Sequence, residues 1–144
     1  MNKLSDVFSS YLSAPLPQSV ASARAYDVVI NRENRILNVY ADFDVLASAD
    51  DIFSAQRLIK TSSIQFSAVM IYPRYKKEMF DVSYFPEIVK FLKAETPSLN
   101  GTLNDAQLFC KENVLTVKLA HGGLNLLKIK QFDLMLADII RKMF

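Results

Sequence analysis

Between residues 36 and 43, Leu37, Val39, Ala41 and Phe43 alternate with Asn38, Tyr40 and Asp42. A period of two predicts a half-buried strand, with the apolar set facing a core. The apolar run over residues 26–30 (Tyr-Asp-Val-Val-Ile) precedes it, and the polar break Asn-Arg-Glu-Asn at 31–34 predicts a hairpin between them. Upstream, Leu4, Val7, Phe8 and Leu12 recur at helical spacing, predicting a helix over residues 3–12 with Asn2 or Ser5 as its cap. Residues 13–24 carry Pro15, Pro17 and several Ser and Ala, and read as a linker or surface crossing. Asp50 or Ser48 can cap a helix over 51–61, whose stripe is Ile52, Ala55, Leu58 and Ile59. A strand over 64–72 follows, and Pro73 is expected to end it.

The second half changes rhythm after the charged stretch 74–78 (Arg-Tyr-Lys-Lys-Glu). Pro86 and Glu87 suit the first turn of a helix with Ile88, Val89, Phe91 and Leu92 on its apolar face. Thr96-Pro97 starts a second, short helix carrying Leu99 and Leu103, with Gly101 weakening it by roughly 1 kcal/mol. Residues 107–110 and 114–119 flank a polar turn and form a second hairpin. The pair Gly122-Gly123 then leads into one long final helix with Leu126, Ile129, Phe132, Leu136, Ile140 and Met143 in line. Leu124, Leu127 and Leu134 widen that line, so the helix is expected to meet more than one surface. The predicted class is α+β in two packed subdomains. Residues 1–73 form a β-β-α-β unit behind an N-terminal helix, 74–81 a connector, and 82–144 an α-α-β-β-α unit.

Composition narrows the function classes. A hydrophobic fraction of 51% supports a real core and argues against disorder. Three glycines leave no room for glycine-rich phosphate loops. A net charge of +2 lacks the basic excess typical of strong non-specific nucleic-acid binders. With one cysteine and one histidine, an internal disulfide and a Cys/His zinc cluster are excluded, and a reducing cytoplasm is the expected compartment. No apolar run reaches the roughly 20 residues that a membrane helix needs, so no membrane partner is expected.

The groups that could carry chemistry have structural readings. Asp42 and Asp44 fall on the outer side of a strand, and Asp50 and Asp51 fit helix-start chemistry, so no convergent metal site is expected. His121-Gly122-Gly123 lacks the third glycine of a dinucleotide fingerprint, the end of a P-loop and the Gly-x-x-Gly clamp of KH domains, and reads as a turn. Cys110, beside Phe109 in a strand, is expected to be a buried, inert thiol. The stretch 72–77 interleaves aromatic and basic residues as single-strand binders do. A solvated connector has the same composition. The candidate nucleic-acid or partner surface is therefore Arg74, Tyr75, Lys76 and Lys77, with Lys128 and Lys130 from the last helix. No catalytic residue, metal ligand or cofactor is expected in this chain.

Residues 87–104 (Glu-Ile-Val-Lys-Phe-Leu-Lys-Ala-Glu-Thr-Pro-Ser-Leu-Asn-Gly-Thr-Leu-Asn), followed by Val-Leu-Thr-Val-Lys-Leu at 114–119, resemble the N-terminal region of PolC-type bacterial DNA polymerase III, the replicative polymerase of low-GC Gram-positive bacteria. The strand pair around 36–43 with its following helix and strand is also similar to that family, so the resemblance spans nearly the whole chain. It implies that the second subdomain is a truncated KH-like unit, similar to the polymerase-binding domain of the clamp-loader tau subunit. It also implies a non-catalytic interaction domain, with the DNA polymerase and 3'–5' exonuclease parts lying further along the parent chain. The partners expected from it are replisome proteins, such as clamp-loader or other polymerase-associated subunits. The rival ligand is single-stranded DNA. A last helix that runs to Phe144 suggests an excised N-terminal domain.

Overall fold

The computed structural model describes residues 2–10, 12, 14–62, 65–96, 103, 105–111, 114–120, 122–124, 128 and 131–144. The chain is mixed α+β and divides into two compact units, residues 1–79 with 143–144, and residues 80–142.

In the first unit, α1 (Leu4–Val7) and α2 (Gln18–Ala21) precede β1 (Arg24–Asn31), β2 (Ile36–Asp42), α3 (Ala49–Ser62) and β3 (Ala68–Arg74). The sheet order is β1-β2-β3, with β1 antiparallel and β3 parallel to the central β2. Alternation works as expected in β2, where Leu37, Val39 and Ala41 are buried, and it continues in β3 with Val69, Ile71 and Pro73. Helix α3 lays Ile52, Ala55 and Ile59 on the buried side, and Leu4, Phe8, Leu16 and Val20 complete that core. The Ser48 hydroxyl accepts the Asp51 N–H at 3.1 Å and caps α3, while Asp50 and Asp51 occupy its positive end.

Several expectations are corrected here. The N-terminal helix stops at Val7, and the stretch expected to be a linker holds α2 and the start of β1. Pro73 does not end β3 but lies within it, opposite Ala41. The reason lies in the strand's edge position. Phe43 N–H donates to the Arg74 carbonyl, so even-numbered residues of β3 turn their backbone groups toward β2. Odd-numbered residues turn theirs outward, where proline forfeits no ladder bond.

The second unit contains the 3₁₀ turn Val82–Tyr84, α4 (Phe85–Glu95), the β4–β5 hairpin (Gln107–Lys111, Val114–Lys118) and α5 (Phe132–Met143). Pro86 sits in the first turn of α4, and Phe85, Ile88, Val89 and Leu92 are buried with Leu103, Leu108, Phe132 and Leu136. Gly122 and Gly123 both take positive φ, as the turn reading requires. The final helix is not continuous: Gln131 adopts φ 54° in a turn, and α5 begins only after it. Gln131 accepts the N–H groups of Leu134 and Met135 through its carbonyl, so the break doubles as the start of α5. The expected short helix after Thr96 falls almost wholly outside the described residues. Cys110 is exposed and not buried as expected: it shares a face of β4 with Leu108, but the burial on that face stops at Leu108. Among the described residues, no helix is long and apolar enough to cross a membrane.

Candidate interaction surfaces

The face of the first sheet opposite α3 carries a row of tyrosines, one from each strand. Tyr40 and Tyr72 stack at 5.0 Å with 15° between their planes, and Tyr26 lies 6.3 Å from Tyr40. Arg74 Cζ sits 3.8 Å from the centre of the Tyr26 ring, a cation–π distance. The guanidinium also donates through Nε and Nη2 to both carboxylate oxygens of Asp42, the second at 2.9 Å. That hydrogen bond raises the Arg74 pKa above its ordinary value. Alongside, Arg24 pairs with Asp44 at 2.9 Å. Tyr40 and Tyr72 therefore cover each other, and Arg74 covers Tyr26. A base-stacking platform instead turns its ring faces outward.

The candidate residues separate. Arg74 joins the tyrosine row with its charge matched by Asp42. Tyr75, one position on, points the other way and is only 4% exposed. Its hydroxyl accepts the Ala47 N–H at 3.2 Å, and its ring packs on Phe43 and stacks on Phe144. Tyr75 is thus a core residue and no part of a surface. Lys76 and Lys77 are exposed just beyond β3. Lys128 is exposed in the second unit, and Lys130 lies outside the described residues. Sequence reasoning missed Tyr26 and Tyr40. The signal for Tyr40 was present, since it occupies the polar phase of β2 as Tyr72 occupies that of β3.

The expected structural roles of the acidic residues have partners. Asp42 and Asp44 hold arginines, and Asp51 accepts from the Ser19 hydroxyl at 2.9 Å. Among the described residues, no group of His, Cys, Asp and Glu gathers as a metal site needs.

Two apolar surfaces stand out. In the second unit, a groove of about 540 Å³ runs between β5 and the last helical segment. Leu115, Val117, Leu119, Leu124, Phe132 and Leu136 line it, with Lys128 and Asp133 also on its walls. Leu124 is 57% exposed there, and Leu134 on α5 is 60% exposed. In the first unit, β1 is the apolar edge of the sheet. Val28 and Ile30 pair with the buried Val39 and Leu37, yet are 44% and 53% exposed. No known protein family, characterised protein or solved structure matches this chain.

Proposed function

We propose that this chain is a non-catalytic interaction domain of a PolC-type replicative DNA polymerase III, whose parent chain carries DNA synthesis and 3'–5' exonuclease activity. The family assignment rests on the sequence resemblance over residues 87–104 and 114–119. The observation that carries the interaction role is the apolar groove between β5 and the last helical segment. Exposed contiguous apolar surface of this kind marks docking sites more often than chance exposure does. The occupant we propose is an amphipathic helix of a replisome protein, with its apolar stripe in the groove and opposite charges meeting Lys128 and Asp133. The second unit would then act as the truncated KH-like adaptor that the resemblance implies. Cytoplasmic localisation follows from the same reading.

The test is titration of the chain against purified clamp-loader and polymerase-associated subunits of the same organism. Leu124→Asp or Leu115→Asp should weaken binding by at least about tenfold, the loss expected for a charge placed in an apolar contact. Both side chains are exposed, so the fold should be retained on circular dichroism. Unchanged affinity in both variants, or no binding to any of these subunits, would overturn the reading. Oligonucleotide binding that falls steeply with salt would favour the single-strand alternative.

A further inference from the structure

The two edges of the first sheet are treated differently. Along β3, three successive outward N–H positions are closed: Ile71 N–H donates to Gln56 Oε1 at 2.9 Å, Pro73 has no N–H, and Tyr75, just past the strand, donates its N–H to the Met143 carbonyl at 2.6 Å. On β1, the start is covered, since Leu4 N–H donates to the Ala23 carbonyl and Ala25 N–H to the Asn2 carbonyl. Beyond that, nothing among the described residues closes the edge. Odd-numbered residues of β2 face β3, as the Phe43–Arg74 bond requires, so its even-numbered residues face β1. Their partners Asp27, Val29 and Asn31 therefore turn their backbone groups toward β2, and Val28 and Ile30 turn theirs outward. From Val28 to Ile30 the edge carries no proline and no charge, Asp27 being the charged residue next to it, and such an apolar stretch of open edge is a template for another strand.

We propose that this edge is covered by a second copy of the chain, β1 pairing antiparallel with β1 about a twofold axis at Val29. In that register Val28 faces Ile30 of the second copy, Val29 faces Val29, and Asp27 faces Asn31. Every aliphatic side chain meets an aliphatic one, and no like charges oppose each other. Moving the axis to Ile30 sets Asp27 against Glu33 and Val28 against Arg32. Moving it to Val28 sets Asp27 against Val29. The chosen register also lets the outward groups of Val28 bond those of Ile30 across the axis. It joins Val28 and Ile30 of both copies into one strip on the α3 side of a continuous sheet. This edge belongs to the first unit and the groove proposed for replisome partners to the second, and neither proposal depends on the other.

Sedimentation velocity of the full chain over a concentration series should show reversible dimerisation. Ile30→Lys should weaken it roughly 100-fold, the effect of charging a central strand contact, while Leu124→Asp leaves it unchanged. The register is read by cross-linking on a Cys110→Ser background. Val29→Cys lies in a non-hydrogen-bonded pair with a Cα separation of about 4.5 Å, within disulfide reach. Ile30→Cys has no such partner. Oxidation should link Val29→Cys at least about tenfold faster than Ile30→Cys, each measured against its own thiol reactivity to a small disulfide. A chain that stays monomeric at every soluble concentration overturns the proposal. So does a dimer that survives Ile30→Lys but is lost with Leu124→Asp, or equal cross-linking of the two cysteine variants.

Discussion

Asp81 shows how one exposed side chain can set local pH dependence. Its Oδ1 accepts the Ser83 N–H at 2.8 Å and caps the 3₁₀ turn Val82–Tyr84. That bond holds its pKa below the ordinary carboxylate value. A folded value below the unfolded one stabilises the protein above the unfolded pKa, and the contribution is lost as pH falls through the folded value. Asp81→Ala should therefore lower the urea midpoint of the second unit at neutral pH. The gap to wild type should close as pH drops below the carboxylate range. An equal gap at neutral and acid pH would sink the capping role. Neighbouring residues can also part company at this scale. Arg74 and Tyr75 are adjacent in a stretch that reads as one aromatic and basic cluster, yet strand alternation sends one to the open face and the other into the core.

At the scale of elements, the strands and α3 were legible because their signals are local and strong: a period of two in β2, and Ser48 with two acids before an apolar stripe. Ser48→Ala should cost about 1 kcal/mol, and Ile52→Ala about 3 kcal/mol, because Ile52 is fully buried. Urea titrations followed by circular dichroism would measure both, and equal losses would mean that the cap carries more than a cap should. What was not legible depended on distant partners. Nothing in the residues around Pro73 tells an edge strand from a strand end; the difference lies in β2 pairing on one side only. Nothing at Gln131 marks a helix break, since the apolar spacing runs through it unbroken. Cys110 was misplaced because β4 and β5 leave most of their side chains exposed, where apolar composition alone argues for burial. Of the tyrosine row, Tyr72 and Arg74 were legible only as members of the aromatic and basic stretch 72–77. Their neighbours Tyr26 and Tyr40 come from other strands and required the register.

On the scale of the whole molecule, two surfaces are offered for two kinds of contact, one in each unit, and single substitutions should separate them. Ile30→Lys is expected to spare the proposed replisome contact and Leu124→Asp the proposed self-association; a single variant that abolishes both would refute their independence. The chain's small net charge fits this division, since neither contact relies on a strong electrostatic field.

The Gln56 amide, described above as a cover for Ile71, also bears on the order in which the first unit assembles. The β1–β2 hairpin closes over a short turn, whereas β3 reaches β2 only after the chain has crossed through α3. Pairings of that range form late in folding, because loop closure must precede their gain. The bond from Ile71 to Gln56 joins the late strand to the helix that delivers it, so it should be absent at the rate-limiting step. Gln56→Leu leaves a part-buried N–H without its acceptor, a loss of about 1.4 kcal/mol. In stopped-flow experiments on tyrosine fluorescence, that loss should accelerate unfolding about tenfold and leave the refolding rate unchanged. Slower refolding would put β3 in the nucleus instead. On this account a single side-chain amide sets the lifetime of the docked strand and has little influence on how quickly it arrives.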